Sequence, residues 1–572
     1  MWCRVSNMHA AHPLVVCVLA AALLSMWVYW PLLWHLRSAM PADPDSALFV
    51  WSMEHAPHRL LRGQNPLYSS AIFSTSGGAN LVFSATAPLL GLVMYPITAL
   101  LGPVAGFNVL TLLTPVLNTM AARRMLRLIS GVAGLPVTLG ALVVGFSPLV
   151  MMHNGARVQL VFEAFSLLML AELWTIGRQF MAGHGANRRR LMVAGALAGA
   201  QMWVGSEQLA IVAIIVVVAA VIAVLFAKFG GTQRWVMPTR HDLLAAAGAI
   251  ALTVIVALPF LAAYFFGSER YTAGYHVPAR PQFGLRIANL VTATDATLLH
   301  SHLPLAVDRL GMSVFRDEDT SYIGLIAVCA LILVAYTWPR RTDVQRGALV
   351  LSGVCWVLAL GPTIRWSGSG SGLPGVWRVL EHVPVVREII ANRLSMAMFI
   401  GLGVLVATVG QHREASEPLP QPARPDAALR VALWCLPLLL IPAPNRHTRS
   451  VSTVADRAIE QQCHGALAVT MPQRLEQESM AWQARSHFAF DMLRGFAFRS
   501  SSLPKGDRIK LDEIAERGLH SDSDATAALA QLATLGVTCV LSPASDEATV
   551  ANLAPVLGPP LIAGDVVIWR QS

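Results

Sequence analysis

The sequence predicts an all-α polytopic membrane protein that ends in a small outer domain of α/β type. Hydrophobic residues make up 55% of the 572 residues, and charged residues make up only 13%. A soluble domain has about a quarter charged residues, and its surface would leave this much apolar material exposed to water. Apolar runs of about 20 residues recur along most of the chain, as membrane-spanning helices require. The same composition excludes disordered, collagen-like and small disulfide-rich proteins.

About 11 apolar runs are predicted to span the membrane as helices. The first, Pro13 to Trp34, exceeds the apolar segment of about 7–15 residues in a cleaved signal peptide, and no A-x-A site follows it. We therefore expect an uncleaved first span. The remaining spans are predicted near 103–121, 132–152, 159–177, 190–205, 208–228, 242–266, 321–338, 346–362, 394–411 and 428–442.

The apolar stretch 85–101 is short and is interrupted by Pro88 and Pro96, so we predict a juxtamembrane or re-entrant helix on the outer face. With this assignment every short basic loop lies on the side of the N-terminus, as the positive-inside rule requires. We therefore expect a multi-pass plasma-membrane protein with a cytoplasmic N-terminus. The basic residues of these loops are Arg123, Arg124, Arg127, Arg178, Arg188, Arg189, Arg190, Lys228, Arg234, Arg240, Arg340, Arg341, Arg346, Arg413, Arg424 and Arg430.

The net charge of +9 belongs largely to these loops. A basic stripe interleaved with aromatic residues would indicate nucleic-acid binding, and the sequence has none. We therefore expect a membrane lipid environment and no nucleic-acid partner.

Two domains are predicted from a change in composition. Residues 1–442 form the transmembrane domain, with large outer loops 35–102 and 267–320, and residues 443–572 form an extracytoplasmic α/β domain in which apolar density drops. Strand and helix spacing supports the second assignment. The predicted strands are Gly465–Met471, Val537–Leu541 and Val566–Trp569, and the predicted helices are Ile509–Arg517 and Ala525–Leu535.

Two of the seven cysteines, Cys463 and Cys539, fall in this outer domain. Oxidation is permitted outside the cytoplasm. A disulfide between them and a pair of buried thiols are both compatible with the sequence. No cysteine or histidine spacing resembles a zinc site.

Two carboxylates at the outer edge of the first span, Asp43 and Asp45, are the main candidates for catalysis. A carboxylate there can act as general base toward an acceptor hydroxyl, and a pair can hold Mg²⁺ or Mn²⁺ against a phosphate. The D-x-D pattern also occurs at 317–319 and 522–524, so position selects the first copy. A solvated turn with Pro44 fixing the backbone is the alternative interpretation. The cofactor is otherwise unknown.

Further polar residues lie near the outer ends of spans. Glu163 and Glu207 are carboxylates at or near membrane depth, where an ionised group requires a partner or a function. Arg157 can pair with either, and a structural ion pair is the alternative to a substrate pocket. Trp51 is compatible with sugar stacking or with an interfacial aromatic belt.

A charged cluster, Asp317, Glu318 and Asp319, closes the 267–320 loop and is expected to face the first-loop acids across a pocket. An ordinary charged helix cap is the alternative. Arg387 and Arg393 precede a later span on the outer side, and their guanidinium groups suit a lipid phosphate. Snorkelling toward head groups is the alternative for both arginines.

Several short motifs follow one another in a recognisable order. After the paired acids come Gly63–Pro66, Gly78–Leu81, Leu100–Pro103, Ala121–Leu126, Gly145–Pro148, Asn154–Gln159, Ser206-Glu207 and Trp482-Gln483. This order resembles the GT-C superfamily of integral-membrane glycosyltransferases, in particular a set of uncharacterised actinobacterial membrane proteins. The resemblance covers most of the chain.

The resemblance implies a GT-C fold and the transfer of a sugar from a polyprenyl-phosphate donor to a glycan, lipid or protein acceptor, with inversion. It assigns Asp43 and Asp45 as the first-loop acids, with Asp45 preferred as the base, and arginines to the donor phosphate. Ala42 stands where the family usually has glycine, and Gln159 stands where Arg-x-Asp would place an acid.

Two other functions remain compatible with the sequence. One is a transporter or flippase of lipids or glycans, which should show paired halves or polar residues at mid-membrane depth. The polar residues of this chain gather at the outer ends of spans instead, which favours a one-sided site. The other is a non-catalytic membrane scaffold, because a fold does not determine a function.

Overall fold

The computed structural model describes residues 13–43, 45–230, 239–267, 283–294, 296–299, 318, 320–368, 371–383, 386–411, 424–445, 447–495 and 509–571. Helices make up most of the described residues up to 442, and short strands lie in the connections between them. A mixed sheet with helices follows toward the C-terminal end.

The helices of the first region are α1 (Pro13–Val28), α2 (Trp30–Trp34), α3 (Ser46–Leu61), α4 (Pro88–Leu101), α5 (Pro103–Ser130), α6 (Leu135–Gly145), α7 (Pro148–His153), α8 (Val158–Val161), α9 (Ala164–Met181), α10 (Arg188–Val204), α11 (Ser206–Gly230), α12 (Arg240–Phe266), α13 (Leu325–Tyr336), α14 (Asp343–Ala359), α15 (Trp377–Leu380), α16 (Ser395–Thr408), α17 (Arg424–Trp434) and α18 (Leu436–Leu439). The strands of this region are β1 (Ala39–Pro41), β2 (Tyr68–Ser69), β3 (Ala79–Asn80), β4 (Thr363–Ile364) and β5 (Leu373–Pro374).

Among the described residues, six helical stretches are long and apolar enough to cross a membrane. Helices lie at the other predicted span positions too, but they are shorter, so the count of about 11 spans stays a prediction. The six stretches are Pro103–Ser130, Leu135–His153, Val158–Met181, Ser206–Phe226, Arg240–Phe266 and Ala391–Thr408.

The stretch 85–101 forms helix α4, as predicted, and its position relative to a membrane stays a prediction. The chain turns at Gly102, whose φ is +90°. Helix α4 then packs closely against α5, because a Cβ on Gly106 would lie 2.3 Å from Thr98 Oγ1. A side chain larger than glycine at this crossing would push the two helices apart.

Burial separates the centre of the helical region from its periphery. In the helical stretch Ala391–Thr408, 94% of the residues of the 18-residue apolar segment are buried. In Ser206–Phe226 the corresponding share is 22%. Small residues permit the central packing, since a Cβ on Gly140 would lie 2.4 Å from the carbonyl oxygen of Gly403. The long Val- and Ile-rich helix α11 therefore presents most of its surface outward, where lipid would cover it.

The C-terminal region contains helices α19 (Thr453–Gln462), α20 (Glu476–Arg485), α21 (Lys510–Arg517), α22 (Asp522–Leu535) and α23 (Glu547–Leu557). Its strands are β6 (Thr448–Ser450), β7 (Leu467–Thr470), β8 (Asp491–Met492), β9 (Val537–Pro543), β10 (Leu561–Ala563) and β11 (Val566–Arg570). Five of these strands form a sheet of order β10-β11-β9-β7-β8. Strand β7 is parallel to β8 and β9, while β11 is antiparallel to β9 and β10.

The three strands and two helices predicted in this region are confirmed at β7, β9, β11, α21 and α22. Their apolar faces form a buried cluster between sheet and helices. Cys463, which ends α19, forms a disulfide with Cys539 on β9, so the bridged alternative is the one observed. Because its residues are 76 positions apart, the bridge closes a long loop and restricts the unfolded chain.

A two-stranded sheet joins the segment between α2 and α3, which contains the first-loop acids, to the C-terminal region. Strand β1 pairs antiparallel with β6, with Ala39 opposite Ser450 and Pro41 opposite Thr448. Helix α3 lies against α20, and the indole N–H of Trp51 donates a 2.8 Å hydrogen bond to Gln483 Oε1. The loop that carries Asp43 and Asp45 is therefore held between the helices and the C-terminal region.

Candidate functional site

Asp43 and Asp45 lie between strand β1 and helix α3, where the chain turns into the helix. The backbone N–H of Asp45 donates a 2.8 Å hydrogen bond to Asp43 Oδ1, which closes a local turn. Strand β1 is fixed from the side of the bundle by Asn108 on α5, whose Nδ2 donates to the carbonyl oxygen of Ala39 at 2.7 Å. Both carboxylates are half-buried.

The carboxylate of Asp45 has partners on both oxygens. Its Oδ2 lies 2.7 Å from Arg157 Nε, and its Oδ1 accepts a 3.1 Å hydrogen bond from Gln477 Nε2 of α20. The turn before Arg157 contains Gly155 at φ +94°, and the Gly155 carbonyl accepts a 2.6 Å hydrogen bond from Ser46 Oγ. This contact fixes Arg157 opposite the first-loop acids.

Glu318 is the centre of the charged contacts and is almost fully buried. Its Oε1 lies 3.3 Å from Arg157 Nη1 and 3.5 Å from Arg393 Nη2. Its Oε2 accepts a 2.8 Å hydrogen bond from Asn392 Nδ2 and lies 3.5 Å from His153 Nε2. One carboxylate therefore joins three separate segments of the chain.

The ionised form of Glu318 is strongly favoured. Burial by itself raises the pKa of this carboxyl, but the attraction of His153, Arg393 and Arg157 outweighs it and holds the pKa well below its usual range. Glu318 consequently keeps its negative charge at any pH near neutrality.

Glu207, in the first turn of α11, extends the contacts further. Its Oε2 forms an ion pair with Arg393 Nη1, and its Oε1 accepts a 3.2 Å hydrogen bond from the backbone N–H of Ile390. Carboxylates and guanidinium groups thus alternate through the site. We call this set the carboxylate–arginine network, which consists of Asp45, Arg157, Glu318, Arg393 and Glu207.

The network differs from the sequence expectation in its pairings. The sequence offered Glu163 or Glu207 as the partner of Arg157, whereas the described ion pairs join Arg157 to Asp45 and Glu318. Of the cluster that closes the 267–320 loop, Glu318 contacts Arg157, which also contacts Asp45, and a pocket between the cluster and the first-loop acids stays a prediction. Its neighbours Asp317 and Asp319 lie outside the described residues.

Three other predicted site residues lie outside the network as defined. Glu163 is buried at the start of α9, and its Oε1 has no hydrogen-bond partner among the described residues. Arg387 lies in the 3-10 turn Val386–Glu388, on the segment that leads to Arg393. Trp51 is fully buried and stacks on His55 with ring centroids 4.2 Å apart, so it packs the first loop against the C-terminal region.

Sequence reasoning missed four residues that support these groups. His153 and Asn392 precede two predicted arginines closely in the chain, and this adjacency was the available signal. Gln477 lies 432 residues from Asp45 and carries no local signal. Arg449 on β6 is half-buried, and this partial burial lowers the pKa of its guanidinium to about 10 against the attraction of Asp565 and Asp43.

The described residues do not form a metal site. Among the described residues no group of three or more histidine, cysteine or acidic side chains is placed to hold a metal ion. Asp43 and Asp45 supply two carboxylates, and Arg157 already occupies one face of the second. The described contacts of Asp45 are those of an ion pair with Arg157, and the mechanism proposed below is derived from the side chains alone.

The fold is that of the GT-C membrane glycosyltransferases, which confirms the fold family predicted from the motifs. The chain is similar to AftD, an arabinofuranosyltransferase from mycobacteria, with a TM-score of 0.53 and 13% identity over 97% of this chain. It spans 39% of that enzyme. It is also similar to the oligosaccharyltransferase of Archaeoglobus fulgidus, with a TM-score of 0.55 and 11% identity over 93% of this chain and 70% of the other.

Comparison of the amino-acid sequence with protein families and with curated proteins finds no match. No protein-family model matches the chain. No curated protein matches it either. At identities of 11–13% the likeness to solved structures establishes the fold alone, and the reaction has to be argued from the site.

Proposed function

We propose that this protein is a glycosyltransferase that moves a sugar from a polyprenyl-phosphate donor to a cell-envelope glycan, lipid or protein, with inversion at the anomeric carbon. The observation that carries the proposal is the carboxylate–arginine network, which connects a first-loop acid to two arginines at one end of the helices. The fold shared with an arabinofuranosyltransferase and an oligosaccharyltransferase supports the same reaction class.

The arginines of the network suit a donor phosphate. Arg157 and Arg393 both approach Oε1 of Glu318, so two guanidinium groups lie side by side around one anionic oxygen. Guanidinium groups bind phosphate through paired, charge-assisted hydrogen bonds. In the proposal Arg157, Arg393 and Arg387 bind the donor phosphate, while Glu318 keeps the first two in position.

The acids supply the proton acceptor. The acceptor hydroxyl attacks the anomeric carbon from the face opposite the phosphate, and Asp45, or Asp43 beside it, takes the hydroxyl proton. The bond from the anomeric carbon to the phosphate oxygen breaks, and its electron pair leaves with the polyprenyl phosphate. Positive charge on the arginines stabilises the phosphate as it departs.

The other predicted residues form the walls of the proposed substrate pocket. Glu207 and Glu318 belong to it through the network, and Asp317 and Asp319 flank Glu318 in the chain. Glu163, whose Oε1 has no hydrogen-bond partner among the described residues, offers an acceptor for a sugar hydroxyl.

The proposed orientation puts the network on the outer face of the plasma membrane. Arg123, Arg124 and Arg190 lie at the opposite ends of their helices, as expected for cytoplasmic basic residues. The disulfide between Cys463 and Cys539 in the C-terminal region is compatible with an oxidising compartment.

The test is a mass-spectrometric profile of envelope glycans and polyprenyl-phosphate sugars in cells that lack the protein. These cells are complemented with wild type, with Asp43→Asn/Asp45→Asn, or with Asp522→Asn/Asp524→Asn, at equal membrane levels. The last variant is a matched control, because it alters the same D-x-D pattern in the first turn of α22. We expect wild type and the control to restore both a lengthened glycan and the consumption of its donor.

Failure of the first-loop variant to restore the profile would support the acid–base mechanism. If that variant restores the profile as well as wild type does, the mechanism is wrong. A second assay excludes transport, because purified enzyme in detergent should form a new glycosidic bond from a polyprenyl-phosphate sugar without any membrane to cross. Restoration in cells without bond formation in detergent would instead favour a transporter or scaffold.

A further inference from the structure

A cavity of about 470 Å³ lies between helices at the end of the bundle opposite the network. This volume falls within the range of small-molecule and cofactor sites, about 300–1,000 Å³. We call it the arginine cavity, and its lining includes Leu14, Met120, Arg123, Arg124, Arg127 and Arg190.

Two helices establish where the arginine cavity lies. Helix α5 contacts the first outer loop through Asn108, and Arg127 follows 19 residues later, about 28 Å along the helix axis. Helix α1 starts beside the cavity with Leu14, and at its other end the Val28 carbonyl accepts from Asn445 N–H. The separation matches the hydrocarbon thickness of a bilayer, about 30 Å, so the cavity lies at the level of the second head-group layer.

The charge of the cavity is not balanced within it. The described residues that line it include four arginines and no carboxylate. Glu172 on α9 forms ion pairs with Arg124 and with Arg190, so a single acid serves two guanidinium groups. Three positive charges remain when this one carboxylate is subtracted from the four arginines.

One of these arginines is buried, which makes the surplus charge costly without a ligand. Arg123 is 6% exposed, and its Nε has no hydrogen-bond partner among the described residues. A buried guanidinium donor with no acceptor loses its hydration without compensation. An anion in the cavity would supply both the missing acceptor and the missing charge.

The rest of the lining is apolar and open to the surrounding lipid. Leu14 and Met120 lie at the cavity and are 50% and 36% exposed. Arginines at head-group level with exposed apolar side chains beside them match a molecule that has an anionic head and hydrocarbon tails. Basic pockets between transmembrane helices bind phospholipid head groups in this way.

We propose that the arginine cavity binds an anionic phospholipid, with the head-group phosphate against Arg123 and Arg127 and the acyl chains along Leu14 and Met120. Residues 1–12, which precede the first described helix, contain one arginine and no acidic residue, so their charge does not match the cavity. The proposal concerns the end of the bundle opposite the catalytic network and does not rest on the proposed function.

The test compares two double variants of the full-length protein by native mass spectrometry. Arg124→Gln/Arg127→Gln removes two exposed arginines of the cavity, and Arg188→Gln/Arg189→Gln removes two exposed arginines from the first turn of α10, outside the cavity lining. The probes are dioleoyl phosphatidylglycerol and dioleoyl phosphatidylcholine, which share acyl chains and differ in charge. The single variant Arg127→Gln breaks no described ion pair. It tests the same cavity if the first double variant does not fold.

We expect wild type to retain phosphatidylglycerol in preference to phosphatidylcholine. Loss of two cavity arginines should weaken phosphatidylglycerol binding about tenfold or more, because each basic residue near an anionic lipid contributes about 1 kcal/mol. The Arg188→Gln/Arg189→Gln control should change it by less than about threefold. Equal retention of both lipids, or equal weakening by both double variants, would overturn the proposal.

A further arm separates a lipid from a free anion. Inorganic phosphate at millimolar concentration should fail to displace phosphatidylglycerol and should leave the unfolding temperature unchanged, because it lacks the acyl chains. Displacement of the lipid by inorganic phosphate alone would show that the cavity recognises a free anion, which contradicts a lipid site.

Discussion

The two ends of the helical bundle both concentrate arginines, but they treat the charge differently. In the carboxylate–arginine network, Arg157 and Arg393 alternate with three carboxylates, and Glu318 contacts both. In the arginine cavity, four arginines have only Glu172 as a described ion-pair partner for two of them. In the network, carboxylates hold each arginine in a fixed geometry, whereas in the cavity most of the positive charge is left for a ligand to balance.

The largest effect should come from removing the central charge of the network. Glu318→Gln leaves Arg157 and Arg393 without their shared carboxylate in a buried setting, so we expect a loss of about 3–5 kcal/mol in stability. Thermal unfolding in one detergent measures it. The control is Asp343→Asn, which removes the partner of Arg346 at an exposed position and should cost less than about 1 kcal/mol. Equal losses of stability in the two variants would show that Glu318 contributes no more to the fold than an exposed acid does.

The stability that Glu318 contributes should depend on pH. The pKa of Glu318 is lowered in the folded state from an ordinary value of 4.5, so its charge stabilises the fold above pH 4.5. That contribution is lost as the pH falls through the lowered pKa. The difference in unfolding temperature between wild type and Glu318→Gln should stay constant from neutral pH to pH 4.5 and shrink below it. A difference that vanishes near pH 6 would contradict this.

A backbone change should have an intermediate effect. Gly155→Ala places a Cβ 3.1 Å from Pro41 Cγ at a φ of +94°, and we expect a cost of about 1–3 kcal/mol with a loss of transfer activity as Arg157 shifts. Gly63→Ala is the control, because Gly63 has a φ of +68° but no atom within 4 Å of the added Cβ. If the two variants are equally stable, the contact of Gly155 with strand β1 contributes nothing.

The pair at the edge of the network should be weaker than its centre. Asp45 and Arg157 are 21% and 25% exposed, so solvent screens their attraction. A double-mutant cycle with Asp45→Asn and Arg157→Gln should give a coupling of about 0.5–1 kcal/mol from unfolding measurements. Combining Asp45→Asn with Arg346→Gln should instead be additive. Coupling near zero in the first cycle would mean that the two side chains do not stabilise each other.

The smallest effect is expected at the opposite end of the bundle. Arg190→Gln removes a 32% exposed arginine from Glu172, which keeps Arg124, so stability should change by less than about 1 kcal/mol. Unfolding of the purified protein, with its lipid content matched to wild type, provides the measurement. A loss of stability as large as that of Glu318→Gln would show that ion pairs at the two ends of the bundle contribute equally to the fold.

How much of this could be predicted from the sequence depends on the range of the interactions. Apolar runs predicted the helices, because a run of that length has few other stable environments. Glu207 was identified as a candidate because a charge at membrane depth is costly without a partner. Asp45 was identified by its position after the first span, and Arg393 because a guanidinium group suits a lipid phosphate. The pairings were not predictable, since Arg157 meets Asp45 across 112 residues and only tertiary packing decides such contacts.

The pairing of β1 with β6 was also not predictable from the sequence. Strands β1 and β6 contain three residues each, too few for a periodic pattern, and lie some 400 residues apart. Gln477 of α20, in the same C-terminal region, contacts Asp45. By contrast, β7, β9 and β11 were predicted, since their buried apolar runs are bounded by turn residues.

The shared sheet of β1 and β6 also constrains how this protein can be recombined. A chimaera that exchanges residues 443–572 for those of a distant relative would give β1 a foreign neighbour and remove the Gln477 contact from Asp45. The segment that carries β1 and the C-terminal region therefore form a single module, although most of the chain separates them. Grafting experiments should transfer both segments together.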